Sequence, residues 1–230
     1  MTRTLYLIHH SHTDVGYTET QQRIERWQVD FLRQATEIAE RRPDFRWVCE
    51  TFWPVERFLA TAEAEDRQRF AAMLQAGRIG LSSNYLNFSE FAGPEVLHGV
   101  LGRADDYART LELRARCAMT ADINGFGWGF AEALLEAGTE RLFTCIHTHH
   151  GRYPLERTQQ GFWWQAPSGR KLLTWSGEHY HFGNELGLAP GACASYLTKD
   201  DCDADMIFHD AWGVAERRIP RYWQRLAEAG

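Results

Sequence analysis

The chain has 230 residues, of which 44% are hydrophobic and 24% charged, and a formal net charge of −6. That composition suits one globular domain with a single well-buried core. The acidic balance, without any basic run, excludes nucleic acid as the main partner, and no stretch approaches the ~20 apolar residues of a membrane-spanning helix.

The first element is a strand over residues 4–10. Its apolar run Thr4-Leu5-Tyr6-Leu7-Ile8 leads straight into His9-His10-Ser11-His12-Thr13-Asp14-Val15-Gly16-Tyr17. The run is too short for a signal peptide. In extended chain alternate residues face the same way, so His10, His12 and Asp14 line up on one side. An imidazole and a carboxylate at that spacing can hold one divalent cation, and Gly16 lets the chain turn away. The plain alternative is a polar strand end with solvated or capping side chains.

A helix follows over 20–42, with Ile24, Trp27, Phe31, Leu32, Ala35 and Ile38 close to the helical period. A second strand, 46–50, ends at Glu50. Pro54 opens a helix over 54–59, at a position proline tolerates, and another helix covers 66–75. The third strand is 78–82. Pro94 precedes a single helix over 95–113. The fourth strand, 117–122, ends at Asp122, followed by the Gly-rich turn Gly125-Phe126-Gly127-Trp128-Gly129. A helix over 128–137 stops at Gly138. Strands at 142–146, 171–176 and 205–209 and a helix over 214–229 complete the series, with long loops at 148–169 and 177–191.

Strands alternating with helices predict a parallel sheet with right-handed crossovers. Seven of them fit an open doubly wound sheet or a seven-stranded parallel β/α barrel. The five cysteines, Cys49, Cys117, Cys145, Cys193 and Cys202, form no CxxC pair. They read as buried reduced thiols, which places the chain in the cytoplasm. Nine Trp, in a chain that is 13% aromatic, supply a core with rings left over for a flat ligand such as a sugar.

Polar residues cluster where strands end: His12 and Asp14, Glu50, Asp122, His147 with His149 and His150, Glu178 with His179, and His209 with Asp210. In parallel α/β folds ligands bind outside these carboxyl ends. Any one of these residues alone reads as loop-surface polarity; six ends together describe a site. Asp122, exposed at a strand mouth, suits a metal ligand, a nucleophile or both. Its alternative is an aspartate at a helix N-terminus, favoured by the dipole.

Two motifs together resemble a known family. His10-Ser11-His12-Thr13-Asp14-Val15-Gly16-Tyr17 is similar to the histidine–aspartate signature of glycoside hydrolase family 38, the α-mannosidases. Thr120-Ala121-Asp122 is similar to its second acidic motif, and segments 146–151 and 172–180 look like loops of bacterial members. The resemblance implies a seven-stranded β/α barrel and a carbohydrate substrate. It implies one divalent metal held by His12, Asp14 and Asp122, with zinc as the family expectation; mixed N/O ligands also suit cobalt or manganese. Asp122 would double as nucleophile of a retaining reaction, with a second carboxyl about 5–5.5 Å away as acid/base.

Asp210 is the first candidate for that second carboxyl and Glu178 the second. Tyr17, Trp128, His150 and Glu178 would ring the substrate. Two departures stand out. The family's fourth ligand, a histidine in a His-Asp-Ala motif, belongs to a helical domain beyond the barrel, which this sequence does not contain. His209-Asp210-Ala211 echoes that motif and makes His209 a candidate substitute. Missing C-terminal domains, or an oligomer, would then complete the protein. Two other readings remain open: a metal-dependent deacetylase or amidohydrolase on a similar barrel, and a carbohydrate-binding barrel without turnover.

Overall fold

The computed structural model describes residues 4–88, 92–123, 125–146, 158–189, 198, 202 and 204–229. Its strands are β1 (Trp47–Cys49), β2 (Ile79–Leu81), β3 (Cys117–Ile123), β4 (Arg141–Ile146), β5 (Gln160–Gln165) and β6 (Lys171–Ser176). Its helices are α1 (Gln21–Arg41), α2 (Trp53–Thr61), α3 (Ala64–Gln75), α4 (Pro94–Val100), α5 (Arg103–Thr110), α6 (Trp128–Glu136), α7 (Ala204–His209) and α8 (Ala211–Ala229), with a π-helical turn at Asn184–Leu188.

The expected seven-stranded parallel barrel does not form among the described residues. There are six short strands in two sheets: a parallel pair β1–β2, and a four-stranded mixed sheet in the order β3–β4–β6–β5. Three elements account for the difference. Residues 4–10 make a single parallel bridge, His9 with Trp47, through the Val48 N–H to the His9 carbonyl. That register places residues 4–8 beside the turn that precedes β1. In that turn the Phe45 N–H is spent on the Arg42 carbonyl and Pro43 has no N–H to offer. Residues 205–209 lie in α7; an apolar run of three is too short to carry a period that separates strand from helix. The loop expected over 148–169 contains β5, which pairs antiparallel with β6. Its outward Trp163 hides the alternation that would have marked a strand.

Elsewhere the expectations hold closely. β6 occupies 171–176 as read, and β1, β2, β3 and β4 fall within a residue of their expected places. The single helix expected over 95–113 is two, α4 and α5, parted at Leu101-Gly102.

Two clusters make the core. In the first, α1, α2 and α3 cover β1 and β2 through Leu32, Val55, Phe58, Phe70, Leu74 and Ile79. In the second, α4 and α6 cover β3, β4 and β6 through Leu97, Leu101, Leu134, Leu142 and Leu172. The sheets meet along a line held largely by side chains. Ser82 Oγ accepts from the Met119 N–H at 2.9 Å, Asn84 Nδ2 donates to the Met119 carbonyl at 3.1 Å, and the Ser83 N–H donates to the Cys117 carbonyl at 2.8 Å.

On the far side, α8 packs on the π-helical turn. Gly187 has φ +84°, and a Cβ there would clash with the Ala211 carbonyl, so only glycine permits this approach. Cys49 and Cys145 are buried free thiols as read and Cys202 is buried, while Cys117 is exposed and Cys193 lies outside the described residues; burial pushes the Cys49 thiol up to about 12. Among the described residues no helix is long and apolar enough to cross a membrane.

Candidate metal centre

The structure brings together His12, Asp14 and Asp122. One ligand atom from each lies within 4.8 Å of the others, and His12 Nε2 is 3.6 Å from Asp122 Oδ2. His12 and Asp14 follow the bridge at His9, on the segment leading to the turn at Gly16, whose φ is +119°. Asp122 arrives from β3 by a different device. The β3–β4 register shifts between Ala121 and Ile123, and Asp122 takes φ +54°. A bulge of this kind re-aims a side chain at a sheet end, and Asp is among the few residues that tolerate that conformation.

Glu50, one residue past β1, sits behind His12. It is buried, 6% exposed. Its Oε1 lies 2.7 Å from His12 Nδ1 and its Oε2 lies 2.6 Å from His10 Nδ1. Burial opposes its ionisation, but the hydrogen bonds from His10 and His12 prevail and hold the carboxyl down at about 2. An ionised carboxylate only accepts, so both Nδ1 atoms carry their proton. Burial likewise opposes the His12 cation, yet the bond to Glu50 and the nearby Glu50, Asp122 and Asp14 carboxylates raise its pKa. The Tyr180 ring lies against the His12 ring, centroids 4.2 Å apart.

His12 Nε2 is a buried atom without a hydrogen-bond partner. It is the ring nitrogen left over once Nδ1 is committed, and it faces two carboxylates. One imidazole nitrogen and two carboxylate oxygens, with the other imidazole nitrogen bound to a carboxylate, is a donor set that fits a divalent cation.

A cavity of about 300 Å³ opens on this group, lined by His12, Asp14, Glu50, Trp53, Asn87 and Asp122 among others. A second, of about 450 Å³, shares His12 and adds His10, Glu178, His179 and Tyr180. Glu178 is nearly buried; it accepts from Thr158 Oγ1 at 2.8 Å and from Arg225 Nη2 at 2.7 Å.

The remaining residues singled out by sequence fall as follows. The Tyr17 ring is exposed, and its hydroxyl bonds to Asp14, which raises its pKa. Trp128 opens α6, exposed, edge-on to Trp164 at 6.0 Å. Asp210 lies between α7 and α8, exposed, and its Oδ1 accepts from the Gly213 N–H at 2.9 Å, which caps α8. It does not line either cavity. His209 is exposed on α7, 3.9 Å from Asp205. His150 lies outside the described residues. The sequence marks Glu50 only as a polar strand end and Tyr180 only as the close of the family-like segment 172–180, and gives no sign of Asn87. The one signal available for Glu50 was its place next to the apolar run Trp47-Val48-Cys49.

The fold is similar to solved structures of much longer chains. An alpha-mannosidase from Enterococcus faecalis V583 is 13% identical, with a TM-score of 0.61 over 78% of this chain and 20% of its own. A protein in glycosyl hydrolase family 38 from Enterococcus faecalis is 12% identical, with a TM-score of 0.60 over 95% of this chain and 21% of its own. The 4-alpha-glucanotransferase from Thermococcus litoralis is 15% identical, with a TM-score of 0.55 over 74% of this chain and 26% of its own. At those identities the likeness is one of fold, and this chain spans about a fifth of the length of the first two. No curated protein matches the chain by sequence. The family model described as "Glycosyl hydrolases family 38 N-terminal domain" matches residues 2–218, nearly the whole chain, and the protein therefore belongs to that family.

Proposed function

We propose that the chain is the metal-bearing catalytic domain of a retaining glycosidase that acts on terminal α-mannosides or related α-glycosides. The observation that carries this reading is the triad His12, Asp14 and Asp122, with ligand atoms within 4.8 Å and His12 Nε2 buried without a hydrogen-bond partner, 3.6 Å from Asp122 Oδ2. Family membership supports it, as does the alpha-mannosidase among the similar folds.

In this reading His12, Asp14 and Asp122 hold one divalent cation, with zinc the first choice. When bound, the cation supplies a template for two neighbouring sugar hydroxyls and positive charge beside them. Asp122 attacks the anomeric carbon, and its positive-φ bulge presents the carboxylate outward from the end of β3. A second carboxyl protonates the leaving oxygen and then activates water. Position favours Glu178 over Asp210 for that role. Glu178 shares the lining of one cavity with His12, whereas Asp210 is engaged in capping α8. Tyr17 and Trp128 offer exposed rings on which a sugar can stack.

The test is metal content per chain after dialysis against zinc, for wild type beside Asp14→Ala. About one ion per chain, lost in the variant, is expected from a single site with three protein ligands. Equal metal in both, or none in wild type, would remove the metal reading.

A further inference from the structure

The metal ligands come from two separate parts of the chain, and a bridge of two side chains connects them. His12 Nδ1 bonds to Glu50 Oε1 at 2.7 Å. Asn87 Nδ2 donates to that same oxygen at 2.6 Å. Asn87 Oδ1 in turn accepts from the Ala121 N–H at 3.2 Å, the residue next to Asp122. Glu50 Oε2 is taken by His10 Nδ1 at 2.6 Å. Every polar atom along this path has a defined partner, so the path fixes positions and not merely proximity.

We infer that Glu50 and Asn87 are positioning residues that set the geometry of the cation site, Glu50 by orienting His12 and Asn87 by tying Glu50 to the backbone that carries Asp122. The inference rests on the metal reading proposed above and extends it to two residues that do not themselves touch the ion.

The chemistry is specific. With its Nδ1 proton given to Glu50, His12 must present Nε2 as the ligating atom, and a carboxylate behind an imidazole raises its basicity toward a cation. Asn87 uses both ends of its amide, donor to Glu50 and acceptor from Ala121. That pairing also fixes which way the amide points. Without Asn87 the Ala121 N–H, next to Asp122, loses the side-chain acceptor that holds it. Without the Glu50 charge, three donors from His10, His12 and Asn87 converge on a neutral group.

The experiment is zinc titration by calorimetry on wild type, Glu50→Gln and Asn87→Ala, with a thermal melt of each metal-free chain. Glu50→Gln keeps the size but leaves one acceptor oxygen for three donors. Zinc affinity is expected to fall about 10–100-fold in Glu50→Gln, and in the same direction in Asn87→Ala. In the double variant the loss is expected to be smaller than the product of the two, because both act through one path. A purely structural role would lower the melting temperature and leave the affinity of the folded chain unchanged. Wild type binding zinc with both variants binding equally well overturns the inference and leaves the metal site standing. Wild type that binds no zinc overturns both. Should Glu50→Gln fail to fold, Asn87→Ala decides alone, since it leaves Glu50 paired with both histidines.

Discussion

Asp122→Asn is expected to lower kcat on an aryl α-mannoside by on the order of 10³-fold or more, about 4 kcal/mol of barrier at about 1.4 kcal/mol per decade. An amide is a poor nucleophile and a neutral ligand, so both proposed roles of Asp122 fail together. The substitution is clean for a structural reason. Asp122 sits at φ +54° in a bulge of β3, and Asn is as well suited to that backbone as Asp. The loss would therefore be chemical, with the thermal melt nearly unchanged. Alanine would confuse the two, because its backbone is strained at positive φ. Turnover retained within tenfold of wild type would remove Asp122 as nucleophile.

The second large effect is on stability. Phe58→Ala is expected to cost about 3–5 kcal/mol, the usual range for deleting a fully buried ring. Phe58 is 0% exposed at the centre of the first cluster, and its ring lies 5.2 Å from that of Phe70 at 54°. The rest of that cluster comes from α1, α2, α3, α5, β1 and β2 and cannot all collapse into the space. A typical domain has about 5–15 kcal/mol in total, so the denaturant midpoint should fall sharply. Phe208→Ala, on the exposed face of α7, is the control and should stay within about 0.5 kcal/mol. A midpoint for Phe58→Ala as close to wild type as that of Phe208→Ala would mean that the site repacks without a cavity.

The sequence exposes local pattern well and long-range pairing poorly. His12, Asp14 and Asp122 stand out through short-range cues, a His/Asp run before Gly16 and an apolar strand before a Gly-rich turn, and the structure brings the three side chains together although residues 10–14 are not in a strand. The link through Glu50 and Asn87 does not stand out. Their bonds join residues 37 or 38 positions apart, and spacing says nothing about partners at such separation. Asp210 illustrates the reverse. The expectation of chemistry there rests on a strand over 205–209, and those residues lie in α7, with Asp210 Oδ1 accepting from the Gly213 N–H at the start of α8. The fold shows the same division. β6 alternates buried and exposed along its length and was legible. β5 alternates too, but with Phe162 and Trp164 inside and Trp163 outside, so polarity does not reveal the period. The strand expected over residues 4–10 reduces to the one bridge at His9, because an apolar run becomes a strand only where a partner ladder is in reach.

The line along which Ser82, Ser83 and Asn84 join β2 to β3 has a dynamic consequence. A side-chain seam opens locally at lower free energy than a backbone ladder with many bonds in register. His12 and Asp14 lie on one side of it, bridged to β1, and Asp122 on the other, in β3. The proposed cation, shared between them, would close that seam like a clasp, adding RT ln(1 + [L]/Kd) to the cost of opening it, about 2.7 kcal/mol at 100 times Kd. Amide exchange at Met119, whose N–H is held by the Ser82 hydroxyl, would then slow as metal is added, while exchange in the β5–β6 hairpin would not.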